Sequence, residues 1–126
     1  MMIKAKYQPV LDLGEELNIQ GGEVTEENGV LKIKGTAKTQ YEKNILWDKI
    51  KEIGGSNPSD IKANIQVADE SVFARHTVKR GETLGKIAKH YYGNASKYQL
   101  IFKANSDILK NPDLIHPDQE LIIPNI

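Results

Sequence analysis

The sequence predicts an α+β protein of two small domains, at residues 1–68 and 75–126, with a short linker at residues 69–74. Helical and strand periodicities alternate along the chain, giving the order α-β-β-α-β and then β-α-α-β. A chain of 126 residues is too short for a large enzyme fold. Its 39% hydrophobic and 27% charged residues are typical of a folded globular protein rather than a disordered one.

The first domain is expected to begin with a short helix and a β-hairpin. Pro9 suits the start of a helix, because its missing N–H has no partner there in any case. Apolar residues follow on one helical face at Val10, Leu13 and Leu17. Asn28 and Gly29 suit the two positive φ angles of a tight hairpin turn between strands at residues 22–27 and 30–36.

A second helix and a third strand complete the predicted first domain. Thr39 and Glu42 fit a capping box, in which each side chain satisfies a free amide of the first helical turn. The glycines at 54 and 55 end this helix. From Ile61 to Val67 apolar and polar residues alternate, which predicts a strand with one buried face.

This order of elements resembles a known small module. Residues 30–35 read VLKIKG and are followed by the predicted helix and the alternating strand. The pattern is similar to the BON domain, which occurs in bacterial envelope and osmotic-response proteins. The resemblance covers residues 7–68 and implies an α-β-β-α-β fold for the first domain.

Two segments near the ends of the second domain carry a sharper pattern. Residues 75–84 read RHTVKRGETL and residues 121–124 read LIIP. They are similar to the first strand, the Gly-acid-Ser/Thr-Leu turn and the closing strand of the LysM domain. The motifs YGNA, IFKAN and PDLIHP lie between them in the order of that family. The resemblance implies a β-α-α-β fold.

The residues themselves predict the same elements in the second domain. Thr83 suits the cap of a helix that Gly93 ends, and Asn94 or Ser96 suits the cap of the next helix. The stretch from residue 105 to 119 is polar and contains two prolines. Its length is typical of a binding loop rather than a simple connection.

LysM domains bind polymers that contain N-acetylglucosamine, such as peptidoglycan and chitin, in a shallow groove. The resemblance implies a glycan-binding groove between the turn after the first strand and the loop after the second helix. On this chain the residues of the groove would be Gly81, Glu82, Thr83, Leu84, Ile108, Leu109, Leu114 and Ile115. The expected function is therefore a non-enzymatic binding protein whose partner is peptidoglycan or a fragment of it.

A second interpretation is a potassium sensor. A BON-like domain followed by one LysM domain resembles bacterial potassium-binding proteins, in which K⁺ held by main-chain carbonyls of the BON half orders the two domains. The segment of this chain that offers such carbonyls is the turn at Gly54, Gly55 and Ser56, after a helix C-terminus. K⁺ is the one cofactor that either interpretation includes.

Several classes of chemistry lack a starting point in this sequence. The histidines at 76, 90 and 116 show no metal-ligand spacing, and no nucleophile elbow, P-loop or dinucleotide fingerprint is present. The absence of cysteine excludes thiolate chemistry. We therefore expect no catalytic residues.

The charge and hydropathy patterns bear on partners and location. Seventeen basic residues balance seventeen acidic ones, so no net charge favours nucleic acid. No apolar segment resembles a membrane span or a signal peptide. We expect a cytoplasmic location, with export by a route that needs no signal peptide as the alternative. The sequence leaves the oligomeric state open.

Overall fold

A computed structural model describes residues 2–125. The chain divides into two compact units, the first ending at Glu70 and the second beginning at Ser71. The predicted domain limits at residues 1 and 126 lie outside the described residues.

The first unit combines three helices with a three-stranded sheet. Its elements are α1 (Met2–Lys6), α2 (Gln8–Glu16), β1 (Gln20–Glu27), β2 (Val30–Ala37), α3 (Gln40–Gly54) and β3 (Ile61–Val67). The strand order is β1-β2-β3, with β1 antiparallel and β3 parallel to β2. Asn28 and Gly29 have φ angles of 51° and 77°, which confirms the predicted hairpin turn.

The N-terminal segment forms two helices, so the prediction of a single helix there is wrong. Tyr7 lies between α1 and α2 with φ −99° and ψ 15°, outside the regular helical range. Its side chain is fully buried in the core of the first unit. Because Pro9 needs no N–H partner, α2 starts anew beside it. The period of the apolar residues gave no sign of this break.

The core of the first unit lies on one face of the sheet. Leu31, Ile61 and Ile65 of the strands are buried with Leu46 and Ile50 of α3 in one apolar cluster. The alternate residues of β2 and β3, which point to the other face, are exposed and polar and include lysines at 32, 34 and 62. This is the alternation that the sequence predicts for a half-buried sheet.

The capping of α3 follows half of the predicted arrangement. Thr39 is buried, and its hydroxyl oxygen accepts a hydrogen bond from Glu42 N at 3.4 Å. The predicted return bond would come from the Glu42 carboxylate. Its Oε2 atom is buried, and no hydrogen-bond partner for it lies within the described residues, so this atom does not make that bond.

The second unit has a two-stranded antiparallel sheet and two short helices. Its elements are β4 (Ala74–Thr77), α4 (Leu84–Tyr92), a 3₁₀ turn at Ala95–Lys97, α5 (Tyr98–Ala104) and β5 (Glu120–Ile123). Thr83 caps α4 and Gly93 ends it at φ 74°, as predicted. Asn94 caps the 3₁₀ turn through its Oδ1, which accepts from Ser96 N at 2.9 Å. None of the helices in residues 2–125 is long and apolar enough to cross a membrane.

Candidate functional site

The turn between β4 and α4 contains the first group of predicted site residues. Gly81 has φ 86°, in the left-handed region that favours glycine. Thr83 Oγ1 accepts a hydrogen bond from Lys86 N at 3.1 Å, and Lys86 Nζ donates to Gly81 O at 3.3 Å. Gly81 and Thr83 are exposed. The turn therefore presents main-chain groups to solvent on a rigid helix start.

Glu82 is held by neighbouring residues rather than directed freely at solvent. Its Oε1 atom accepts hydrogen bonds from Lys79 N at 2.5 Å and from His76 Nε2 at 2.9 Å. The other ring nitrogen of His76, Nδ1, lies 2.8 Å from the Tyr91 hydroxyl. An ionised carboxylate can only accept, so the ring proton toward Glu82 belongs to Nε2. This network joins β4, the turn and α4.

The electrostatics of Glu82 follow from this network. Burial acts to raise the pKa of the Glu82 carboxyl, but the hydrogen bonds from His76 and from the Lys79 amide outweigh it. The net effect is a pKa below the ordinary value. Glu82 is therefore an ionised anchor of the turn near neutral pH.

The loop from residue 105 to 119 contains the second group of site residues, and Asn105 fixes its start. Asn105 is 2% exposed. Its Nδ2 donates to Ile101 O at 2.7 Å and to Ile122 O at 2.9 Å, and its Oδ1 accepts from Ile122 N at 2.9 Å. The side chain thus completes the hydrogen bonding of β5 and ties the loop to it.

The end of the same loop is tied to the residue after β4. Val78 N donates to Gln119 O, and Asp118 N donates to Val78 O, both at 2.8 Å. Gln119 Oε1 also accepts from His116 N at 2.8 Å. Val78 lies three residues before Gly81 in the chain. The loop is therefore anchored at both ends, and its second anchor is close in sequence to the turn.

The predicted site residues differ in their access to solvent. Ile108 and Leu114 are 48% and 57% exposed, and Ile115 is half-buried. Leu84 and Leu109 are only 2% exposed, and both belong to the apolar core. A surface ligand thus has access to the side chains of Ile108 and Leu114, whereas the two buried leucines support the turn and the loop from below.

The turn at Gly54, Gly55 and Ser56 lies beside a charged cluster that the sequence did not reveal. Gly54 ends α3, and a Cβ atom there would collide with the Tyr7 hydroxyl and with Pro58. The Tyr7 hydroxyl donates to Asp60 Oδ1 at 2.6 Å. Lys6 Nζ donates to Asp60 Oδ2, also at 2.6 Å.

These contacts shift the pKa values of both Asp60 and Tyr7. The hydrogen bond from Lys6, followed by that from Tyr7, lowers the pKa of the Asp60 carboxyl. Burial, assisted by Asp60, raises the pKa of Tyr7 to about 12. Within residues 2–125 no three His, Cys, Asp or Glu side chains come together in the manner of metal ligands. Because Tyr7 and Lys6 already engage both carboxylate oxygens of Asp60, any cation at this turn would rely mainly on main-chain carbonyls.

Comparison with known families identifies the second unit. The sequence pattern of the LysM domain matches residues 76–124. The chain carries a LysM domain. This domain contains the turn at residues 81–84 and the loop at residues 105–119.

Three relatives share short matches with this chain. Potassium binding protein Kbp of Escherichia coli is 55% identical over 49 residues, which are 39% of this chain and 33% of Kbp. An uncharacterized protein of Deinococcus radiodurans is 51% identical over 49 residues, 39% of this chain and 19% of that protein. An esterase of Mycobacterium tuberculosis is 40% identical over 50 residues, 40% of this chain and 10% of the esterase. The matches therefore span a third or less of each relative.

Proposed function

We propose that the protein is a non-enzymatic binding protein whose LysM domain binds N-acetylglucosamine-containing glycan of the peptidoglycan type. The observation that carries the proposal is the LysM match over residues 76–124. LysM is a binding module rather than a catalytic domain, which supports binding as the role of residues 76–124.

The surface chemistry of the LysM domain supports this ligand. The exposed turn at Gly81 and Thr83 offers main-chain amide groups to hydroxyl and N-acetyl groups, while its carbonyls already accept from Lys86 Nζ and Ile87 N. The exposed side chains of Ile108 and Leu114 offer apolar contact to an acetyl methyl group and to a sugar face. Because Glu82 is already engaged by His76 and Lys79, we assign it the role of holding the turn rather than bonding the sugar.

A single LysM domain offers one glycan-binding site, so its affinity is not increased by avidity. We therefore expect a dissociation constant on the order of 10 μM to 1 mM for a short oligomer. Tight binding would require several copies of the domain on one polymer.

A pair of exposed leucines provides the test. Isothermal titration with a soluble N-acetylglucosamine oligomer would compare the wild type with Leu114→Ala and with Leu100→Ala. Leu114 lies in the loop and is 57% exposed, whereas Leu100 lies on α5 and is 38% exposed. We expect Leu114→Ala to weaken binding by about tenfold, in line with one lost apolar contact, and Leu100→Ala to leave it unchanged. Equal effects of the two variants, or no heat at millimolar oligomer, would contradict the proposal.

A second candidate function is potassium binding that orders the two units. The 55% identity with Potassium binding protein Kbp favours it, although 49 matched residues are too few to include both units in full. In this version the first unit is BON-like, and carbonyls at Gly54, Gly55 and Ser56 hold K⁺ beside the Asp60 carboxylate. Amide NMR during exchange of Na⁺ for K⁺ at constant ionic strength tests it. Shifts at residues 54–56 that Na⁺ does not cause would support K⁺ binding, and their absence would exclude this site.

A further inference from the structure

The strand β3 forms one edge of the three-stranded sheet in the first unit. It pairs with β2 on one side, and no strand of residues 2–125 pairs with its other side. We propose that β3 is a self-association surface, on which the same strand of a second copy of this chain adds in antiparallel orientation. The proposal is independent of the ligand of the LysM domain.

The hydrogen bonds at the two ends of β3 show which of its main-chain groups point toward β2 and which point to the open edge. Asp60 O accepts from Leu31 N at 2.9 Å, and Ala68 N donates to Ala37 O at 2.8 Å. Even-numbered residues from 60 to 68 therefore serve the pairing with β2, because alternate residues of a strand bond to opposite sides. The odd-numbered residues direct their N–H and C=O groups to the open edge. These are Ile61, Ala63, Ile65 and Val67.

The open edge of β3 carries few of the features that usually prevent pairing. Its sequence IKANIQV contains no proline, no glycine and no acidic residue, and Lys62 is its one charged residue. The opposite edge, β1, is different. Its register is irregular between Gln20 and Glu23, and it carries glutamates at 23, 26 and 27. A second copy of β1 would bring those like charges together, so β3 is the edge that accepts a partner.

The pattern of β3 is complementary to itself, which favours a second copy over a foreign peptide. With a twofold axis at the central residue, Asn64 faces Asn64 of the second copy, and Lys62 faces Gln66. No like charges are opposed in this register. The residues with free main-chain groups then face one another, Ala63 opposite Ile65 and Ile61 opposite Val67, which allows about eight main-chain hydrogen bonds. A shift of the axis to Ala63 or Ile65 would leave residues at the strand ends unpaired.

The predicted dimer is weak, because it rests on one seven-residue strand from each copy. Interfaces well below about 1,200 Å² belong to transient complexes. We expect a dissociation constant on the order of 100 μM to 1 mM, with a sheet of six strands across the dimer.

Cysteine cross-linking tests both the surface and its register. The natural chain has no cysteine, so a single Asn64→Cys substitution introduces one thiol per copy. In the proposed register residue 64 is a non-hydrogen-bonded antiparallel pair with a Cα–Cα distance of about 4.5 Å, within the range of a disulfide. Gln66→Cys is the matched control, because residue 66 lies exposed on the same face but would be opposite Lys62. We expect Asn64→Cys to cross-link under mild oxidation at least about tenfold faster than Gln66→Cys. Equal rates, or faster cross-linking of Gln66→Cys, would overturn the proposal.

Proline substitution provides a second, independent measurement. Ala63 directs its N–H to the open edge, so Ala63→Pro removes no hydrogen bond to β2. Val24→Pro is the equivalent change on β1. Its neighbours Glu23 and Thr25 pair with even-numbered residues of β2, whose main-chain groups face β1, so Val24 itself directs its N–H away from β2. At about 1 mM chain, sedimentation should give a weight-average mass above that of a monomer for the wild type and Val24→Pro, and a monomer for Ala63→Pro. A monomeric wild type, or an unchanged mass in Ala63→Pro, would contradict the account.

Discussion

Within residues 2–125, the first unit contains a three-stranded sheet, whereas the second unit has two strands of four residues each. In the first unit, main-chain pairing along strands of seven or eight residues positions the elements. In the second unit, side-chain hydrogen bonds also position the elements. Asn105 completes the bonding of β5, and the network of His76, Glu82 and Tyr91 joins the turn to α4. A small domain with a long loop thus depends on a few buried or half-buried polar residues.

The difference predicts that single polar residues matter more in the second unit, and Asn105→Ala should have the largest effect. It leaves Ile101 O, Ile122 O and Ile122 N without their side-chain partner. We expect a loss on the order of 3 kcal/mol or more in the free energy of unfolding of this unit. Amide exchange of residues 121–123 measures it. Asn111→Ala is the control: this exposed asparagine of the same loop makes one local bond, from Asp113 N at 2.8 Å, so its loss should be much smaller. Similar stability of both variants would remove Asn105 from its proposed role.

The counterpart in the first unit is Gly54→Ala. A Cβ atom at the half-buried Gly54 would collide with the hydroxyl of the core residue Tyr7 and with Pro58. We expect a loss of about 2 kcal/mol, the usual range for an added methyl group in such a place. Fluorescence of Trp47, the one tryptophan of the chain, follows urea unfolding of this unit from its position on α3. A Cβ atom at Gly22 would meet open space. Gly22→Ala should therefore leave the free energy of unfolding within about 0.5 kcal/mol of the wild type. A normal midpoint for Gly54→Ala would show that the turn is loosely packed.

A smaller effect is expected of Tyr7→Phe, and its pH dependence has two parts. The pKa of Asp60 is lower in the folded state. The stability that its ionised carboxylate contributes is therefore complete above the unfolded pKa of about 3.9, and it is lost as the pH falls through the folded pKa. The pKa of Tyr7 is raised to about 12 in the folded state. The stability that its protonated hydroxyl contributes is therefore complete below about pH 10, and it is lost as the pH rises toward about 12. At neutral pH the variant should lose about 1 kcal/mol.

The measurement for Tyr7→Phe is the urea midpoint of the Trp47 signal between about pH 3 and pH 11. The variant should have a flatter profile than the wild type at both ends of this range. Tyr98→Phe, which lies in the second unit, should leave the Trp47 profile unchanged. A parallel downward shift of the whole profile in Tyr7→Phe would mean that the hydroxyl acts through packing alone.

The smallest effect is expected of Glu82→Gln. The amide oxygen can still accept from His76 and Lys79, so the turn keeps its shape while the charge is lost. Because both hydrogen bonds are kept, we expect a loss of only about 0.5 kcal/mol at neutral pH. Because the folded pKa of Glu82 is lowered, the wild type should lose this stability as the pH falls below the unfolded value of about 4.3, and the variant should not. Amide exchange in α4 at about pH 3 and pH 7 compares them, and equal acid sensitivity would contradict the role of the charge.

Local patterns were sufficient to predict most of the fold. Alternation predicted β3 at Ile61–Val67 with the bounds that the structure has, and Asn28 and Gly29 predicted the hairpin turn. These features depend on neighbours in the chain, so they leave a signal in the sequence. The Thr83 cap is predictable for the same reason.

The contacts that sequence reasoning missed join distant residues. The Tyr7 hydroxyl and Asp60 are 53 positions apart, and Asn105 bonds to Ile122 across 17 positions. A polar residue in such a contact looks in the sequence like any polar residue of a loop. The exposure of Leu114 beside the burial of Leu109 is likewise decided by tertiary packing, since both are apolar residues of one loop. The motif IFKAN was the one signal that pointed to Asn105.

Amide NMR of the full chain during titration with a soluble N-acetylglucosamine oligomer at fixed salt tests the central claim most directly. We predict shifts confined to the second unit, at residues 81–84 and 108–115, with saturation on the order of 10 μM to 1 mM. Resonances of the first unit, including residues 54–56, should not move. An unchanged spectrum at millimolar oligomer, or shifts that begin in the first unit, would contradict glycan binding by the LysM domain.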